Sequence, residues 1–394
     1  MSTVTQAQPA TGTEPPGRSR LVGRPLALTF LAEFASLTSF LLLVSVMPML
    51  AAADGAGSAA AGLITGALLG GTVIAEAASA FAIRRLGYRV VLAAGALLLG
   101  APTPALALLP REPLAVMVAV SLVRGLGFGL CGVAAGALTA LLLPPERRGE
   151  GLGLLGIVSG VPAIVALPAG VWLAGHHHAT VAVTIAAIMG LLPLAGLRWL
   201  PAGRPGSRPG GGPAASGRGA LRLALVFAAC TVAAGVIDSF LPLARGVPSG
   251  VCSTALLVQA ITATLSRWQA GRHGDRLGHA RLLAPAVIAS ALGMGVLIWL
   301  ASPAAMLAGL ALFGAGFGVA ENSTFALLIE RLPEAKASAL WNLAYDAGYG
   351  AGPVMFGLFS ARTGYPAGFA LTGLLVLAAV PAARRERTAP GLRA

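Results

Sequence analysis

Residues 114–142 read LAVMVAVSLVRGLGFGLCGVAAGALTALL, and residues 143–148 follow as LPPERR. A single charge, Arg124, interrupts a run longer than the ~20 apolar residues that carry a helix across the hydrocarbon core of a bilayer. A proline pair and three charges then end it. A soluble helix of this length would show a polar stripe, and this one has none. The segment therefore reads as a membrane span, and the rest of the chain repeats it. Of 394 residues, 56% are hydrophobic and 10% charged, with a mean hydropathy of +0.82. Soluble domains carry about 25% charged residues. In lipid every backbone N–H and C=O must be paired inside the protein, so successive apolar blocks mean helices.

Working outward from 114–142 gives twelve expected spans: 26–50, 58–82, 88–109, 114–142, 151–174, 180–200, 220–243, 251–270, 281–300, 303–329, 337–360 and 364–383. The boundary between the ninth and tenth rests on Pro303 and on charge parity. The fold class is thus an all-α polytopic membrane protein. Residues 1–24 form an expected polar tail with no signal peptide visible, 25–200 a first six-helix bundle, 201–219 a linker, 220–383 a second bundle and 384–394 a second tail.

The net charge of +13 would suit a nucleic-acid partner, but its placement does not. With the N-terminus inside, Arg84, Arg85 and Arg89, Arg147 and Arg148, Arg272, Arg276 and Arg281, Arg331 and Lys336, and Arg384, Arg385 and Arg387 all fall on the inner side. Only Arg111, Arg245 and Arg362 fall in outer loops. This is the positive-inside pattern. It predicts cytoplasmic termini in a plasma (inner) membrane, contact with anionic lipids and no nucleic acid. The run His176–His178 is expected in an outer loop, solvated rather than metal-bound, since three consecutive residues do not converge on one ion. Cys131, Cys230 and Cys252 lie in or beside spans without metal-ligand spacing. Lys336 is the only lysine and the Gly-rich runs sit in apolar helices, so no phosphate loop and no enzyme signature emerges. No cofactor is expected, and the chain is read as a monomer.

The linker divides the spans six and six, and the halves echo one another. Arg85-Leu86-Gly87 with Arg89 follows the second span, and Arg276-Leu277-Gly278 with Arg281 follows the eighth. Gly125-Leu-Gly127-Phe128-Gly129 in the fourth span is matched by Gly314-Ala-Gly316-Phe317-Gly318 in the tenth. A duplicated membrane half places a binding site between the halves near mid-depth.

These motifs resemble the major facilitator superfamily, in particular its twelve-span drug and metabolite exporters, over roughly residues 25–385. Gly271-x-x-x-Asp275-Arg276-x-Gly278-x-x-Arg281 is similar to the family's gate motif. The first-half counterpart keeps Arg85, Gly87 and Arg89 but has Ala80 and Arg84 where Gly and Asp are expected. Arg124 before the glycine run resembles the family's membrane-embedded arginine. Gly348-x-x-x-Gly352-Pro353-x-x-x-Gly357 resembles the exporters' Gly-Pro motif, and Gly156-x-x-x-Gly160-Val161-Pro162 is a looser version in the fifth span. Glycines at spacing four let helix backbones approach. The resemblance implies that Asp275 closes an inner gate at the start of the fifth helix, and that Arg124 orients a proton-carrying acid.

An acid or base at the bilayer centre costs about 2.5–3.5 kcal/mol on insertion scales and is a functional candidate by default. The candidates are Glu33, Glu76, Arg124, Asp238, Glu321 and Asp346, with Arg267 at the inner end of span eight, where it repeats Glu76. Glu33, with Arg124 as partner, is the expected proton-coupling site; a structural ion pair is the competing reading. Asp346 and Asn342 form one row on span eleven, beside Trp341, Tyr345 and Tyr349, and an aromatic face with a carboxylate suits a lipophilic cation. The expected substrate-binding set is Asp346, Tyr345, Tyr349, Trp341, Asn342, Glu321, Asn322, Asp238 and Gln259. For Glu321 a pair with Arg267 or Lys336 is the alternative. For Glu76 it is a pair with Arg267 or the Arg84 loop. The function expected is secondary active transport: proton-coupled export of a hydrophobic cation, with an uptake symporter or a non-transporting sensor as alternatives.

Overall fold

The structure, a computed structural model, describes residues 22–44, 46–47, 58–108, 113–201, 217–241 and 249–388. The first tail to residue 21, most of the linker, the end of the second tail, Arg111 and Arg245 lie outside the described residues, as does the end of the first expected span. Twelve principal helices follow in order: α1 (Arg24–Val44), α2 (Ser58–Leu86), α3 (Tyr88–Gly100), α4 (Leu114–Leu142), α5 (Arg148–Gly175), α6 (Ala179–Leu191), α7 (Gly217–Phe240), α8 (Ser249–Leu277), α9 (His279–Val296), α10 (Pro303–Arg331), α11 (Glu334–Thr363) and α12 (Tyr365–Ala378).

Expected spans and observed helices differ at their ends. Helix α2 runs past Arg84 and Arg85, and α8 runs seven residues past its expected limit at 270, through Arg272 and Arg276. Arginines at a membrane edge keep their stems on the helix and their heads in water, so charge marks the edge of the lipid and not the end of the helix. Conversely α3 stops at Gly100, followed by a short turn of helix at Ala105–Leu108, and α6 stops before Pro193, which has no N–H to continue the ladder.

Nine of the described helices are long and apolar enough to cross a membrane. Of the others, α3 is short, while α8 and α11 carry too many polar side chains. The two polar helices belong to the interior: both face the opposite half. Large apolar residues point outward around the bundle, the far faces of α8 and α11 included, among them Ile74, Phe81, Val165, Leu225, Leu265, Leu292, Val354, Leu358 and Leu374. In water such a surface would be an association site; around a helical bundle of this composition it is the lipid-facing belt.

The repeated glycine runs explain the packing of each half. A Cβ on Gly125 or Gly129 would strike the α2 backbone at Leu68 or Thr72, and one on Gly127 would strike α3 at Gly95 and Leu99. In the second half Gly314 and Gly318 abut α8 at Gln259 and Ala263, and Gly316 abuts α9 at Ala286 and Ser290. Alternate glycines thus seat α4 between α2 and α3, and α10 between α8 and α9. The joints after α2 and α8 repeat as well. Gly87 has φ 85° and Gly278 φ 87°, a region where a Cβ is strained.

We call the end of the bundle that carries Arg84, Arg148, Arg276 and Arg331 the basic end. Here each half is tied shut. In the first, Arg89 donates to the carbonyls of Leu200 and, at 3.0 Å, Arg198. In the second, fully buried Glu386 accepts from Arg222 at 2.6 Å and from Arg331. Glu386, read from sequence as part of a tail, is therefore a structural residue. The halves meet through α2 and α4 against α11, and through α5 against α8 and α10.

Candidate functional site

The junction between the halves is built first by glycine. Gly271 of α8 lies so close to the Gly149 carbonyl of α5 that a Cβ on either would collide with the other helix. That approach brings the first turn of α5, whose N–H groups have no partner within the helix, to the end of α8. Asp275 meets them: the Gly149 N–H donates to Oδ1 at 2.8 Å and the Glu150 N–H to Oδ2 at 2.9 Å. The carboxylate also faces the positive end of the α5 dipole. Behind it the Asn322 amide donates to the Gly149 carbonyl at 3.4 Å, and the buried His279 ring stands 3.6 Å from Asp275. This junction closes the basic end. Arg276 and Arg281 are exposed beside it, and Arg85 is exposed with its guanidinium over Phe81. Asn322 is fully buried at this joint, and its Oδ1 has no hydrogen-bond partner among the described residues.

Higher in the junction Arg267 crosses from α8 toward the first half. Its guanidinium donates to Glu321 Oε1 at 2.7 Å, lies 5.6 Å over the Trp341 ring and covers Gly156, where a Cβ would displace its stem. Glu321 thus takes the structural alternative left open by the sequence, a pair with Arg267. One turn on, Gly160 gives room to Thr264, and Pro162 lies buried within α5. The fifth-span glycines therefore pack one half on the other. Gly348 and Gly352 instead pack α11 on α7 within the second half, against Ala228, Thr231 and Val232, and Gly357 meets Phe240; Pro353 sits inside α11.

Arg124 does not pair with Glu33. It is buried on α4, and its guanidinium donates to the Leu99 carbonyl at 2.8 Å, the Ser39 carbonyl at 2.8 Å and the Thr103 hydroxyl. Helix ends and breaks leave carbonyls free, and the break after α3 supplies two of these acceptors. The expected ion pair is replaced by neutral acceptors joining α1, α3 and α4. Glu33, half-buried on α1, makes no hydrogen bond or ion pair with a described residue; the charge acting on it is Arg267, from the other half.

The Asp346 carboxyl is on the side of α11 that faces Glu76 of α2, across the junction. Glu76 is 2% exposed and its Oε2 has no donor among the described residues, whereas Asp346 is half-buried. Of the aromatic row, Trp341 belongs to the core of the second half, stacked between Phe227 (4.9 Å) and Phe325 (5.1 Å). Tyr345 and Tyr349 are partly exposed, stacked 6.0 Å apart, and the Tyr349 hydroxyl donates to Asp238 at 3.1 Å. Asp238 is exposed toward the end opposite the basic one. Asn342 donates to the Ser338 carbonyl at 2.9 Å beside Gly132 of α4, and Gln259 is buried where α8 meets α10. Arg267, Glu321, Trp341, Asn342 and Asp346 thus lie along the junction of the halves, whereas Gln259 is packed within the second half.

The sequence does not reveal Gly149, because its contribution is a backbone N–H and no side chain reports it. Nor does it give Glu76 more than minor weight, because the helix it faces, α11, lies in the other half of the chain.

A family model described as Major Facilitator Superfamily matches residues 29–339. No curated protein matches. Among solved structures, the chain is similar to an MFS transporter, FucP, in the outward conformation (18% identity, 92% of this chain and 98% of that one, TM-score 0.72). It is also similar to the human organic anion transporter MFSD10 (17%, 94% and 100%, 0.75) and to a bacterial homologue of the iron transporter ferroportin in an outward-facing state (15%, 93% and 100%, 0.72). At these identities the likeness is one of fold.

Proposed function

The chain belongs to the major facilitator superfamily, and on that premise we propose that it is a proton-coupled secondary transporter that exports a hydrophobic, cationic small molecule by alternating access. The family gives the coarse statement, a membrane transporter with this fold. The finer reading rests on one observation: Glu33 is a half-buried carboxyl group on α1 with no hydrogen-bond or ion-pair partner of its own among the described residues. A buried charge without a partner is costly, and a ligand that brings the opposite charge relieves that cost. The partly exposed rings of Tyr345 and Tyr349 on the facing α11 suit the apolar, cation-attracting surface such a ligand needs. Glu33 thus becomes the counter-charge for substrate, a role the sequence pattern assigns to Asp346, and coupling falls to another group.

With the basic end taken as cytoplasmic, the Asp275 junction makes this the conformation closed to the cytoplasm. Transport then requires that α5 and α8 part at Gly149 and Gly271 while the opposite end closes. The test is accumulation of ethidium, an aromatic cation, in everted vesicles. Export predicts uptake driven by an acidic interior and lost in Glu33→Gln. Uptake confined to right-side-out vesicles would reverse the direction to symport. A panel of aromatic cations that moves in neither orientation would sink the reading.

A further inference from the structure

Helix α8 presents one outward face made of three bands. Leu257, Ile261 and Leu265, 46%, 42% and 50% exposed, recur every fourth residue along it. Half-buried Trp268 comes next, and Arg272 and Arg276 follow at the basic end, both exposed. Steps of three and four residues keep all six on one side of the helix. Around Trp268, Arg272 and Arg276, with Gln269 and His273 beside them, opens a cavity of about 400 Å³. We propose that this face binds one anionic phospholipid, its phosphate between Arg272 and Arg276 and its acyl chains along Leu265, Ile261 and Leu257. The site is a property of α8 and stands apart from the transport reading.

Charge selects the headgroup. Arg272 and Arg276 are one helical turn apart, and like charges at that spacing repel. Neither makes an ion pair with a described residue. The one acid of α8, Asp275, is held by the N–H groups of α5, and nearby Glu150 is paired with Arg147. A phosphate between the two guanidiniums removes their repulsion and gains charge-assisted hydrogen bonds. The aromatic band sets the depth. The Arg272 guanidinium lies 5.3 Å from the centre of the Trp268 ring, and indoles settle at the level of lipid headgroups. The apolar band then lies beside the chains. From Leu265 to Leu257 the helix rises about 12 Å, most of the ~15 Å that one leaflet adds to the hydrocarbon core.

Two other basic places lack this combination. A cavity of about 260 Å³ beside α7 has Arg218 and Arg222 on its wall, but Arg222 is already bound to buried Glu386. On α2 the outward arginines, Arg84 and Arg85, are neighbours in sequence, which turns them about 100° apart, and each lies over the Phe81 ring. Of the three places, the α8 face alone sets two guanidiniums one turn apart, both without an acid partner, at the end of an exposed apolar stripe.

Native mass spectrometry of the purified protein, titrated with phosphatidylglycerol and with phosphatidylcholine of the same chains, tests this. One phosphatidylglycerol should bind ahead of all further lipids and ahead of phosphatidylcholine. Each arginine at an anionic lipid surface contributes about fivefold, so Arg272→Ala with Arg276→Ala should weaken that first event by about 30-fold. Arg84→Ala with Arg85→Ala removes the same charge from the same end and should leave it unchanged. All four side chains are exposed, and equal uptake of phosphatidylcholine by the three proteins shows that the fold is kept. Inorganic phosphate should not displace the lipid, because it brings no chains for the apolar stripe. Equal losses in the two double variants would reduce the site to diffuse surface charge. A first event that survives loss of Arg272 and Arg276 would place the lipid elsewhere, and displacement by inorganic phosphate would make this a site for a soluble anion; each of these results overturns the proposal.

Discussion

Asp275 shows how much one side chain can do when a backbone is brought to it. It accepts from two N–H groups of the other half, as a helix N-cap does within one helix. Caps are worth about 0.5–2 kcal/mol, a change of roughly 2- to 30-fold in the ratio of closed to open forms. Asp275→Ala should therefore raise the reactivity of a cysteine placed at Ser159, which lies between the halves beside Arg267, by a factor in that range, and Asp275→Asn by less. Ligand affinity measured with the basic end locked should not move. A collapse of affinity with unchanged Ser159→Cys reactivity would refute the gate role. Arg267 and Glu321 make the opposite kind of contact, a pair deep in the junction. Removing one partner of such a pair costs about 3–5 kcal/mol. Glu321→Gln should lower thermal stability accordingly, and Arg267→Gln combined with it should recover part of the loss. Additive losses would show that the two do not act as a pair.

At the scale of helices, the glycine runs are legible in the sequence, because repetition at the same place in two halves is visible in one chain. Their purpose, alternate glycines against alternate neighbours, follows from the helical period. If that is their role, Gly127→Ala and Gly316→Ala should each destabilise by about 1–3 kcal/mol, the cost of overpacking. Gly66→Ala, where an added Cβ meets nothing within 4 Å, should be neutral or slightly stabilising. Thermal unfolding in detergent separates these outcomes, and equal effects at all three would reject the wedge. Nine of the twelve helices are likewise readable from apolar length, and the repeat between the halves supports α3, α8 and α11. Their ends are not, since Arg272 and Arg276 mark the water boundary while α8 continues through them. Least legible are the pairings. Charges inside spans identify Glu33, Glu76, Arg124 and Asp346 as residues with something to explain, but which acid meets which group depends on helix rotation. Arg124 meets carbonyls and Arg267 meets Glu321, while Glu33 meets no partner among the described residues.

For the molecule as a whole, an even number of spans places both chain ends on one side. We propose, from the positive-inside rule, that this side is the cytoplasm. A cysteine at His177 should react with impermeant reagents in intact cells, and one at Lys336 should not; the reverse result would invert the topology and with it the direction assigned to transport. The two halves are also closed differently. The first uses Arg89 against the carbonyls that follow α6, neutral acceptors that are lost singly. The second gathers Arg222 and Arg331 onto one buried carboxylate, Glu386. Glu386→Gln should therefore cost about 3–5 kcal/mol and unfold the second half first, seen as early proteolysis within residues 217–388, whereas Arg89→Gln should cost less.

The position of Glu386 has a consequence for how the protein is made. It is 164 residues beyond Arg222. A ribosome adding about 5–20 residues per second needs roughly 8–30 s to cover that interval. Throughout it α7 sits in the membrane with the guanidinium at its basic end lacking its final acceptor, and α10 waits likewise at Arg331. The second half is thus a structure whose keystone is laid last. Until then Arg331 has the Gly219 carbonyl, at 3.4 Å, as its other acceptor, and a chain that stalls between α10 and residue 386 lacks the carboxylate that joins α7 to α10.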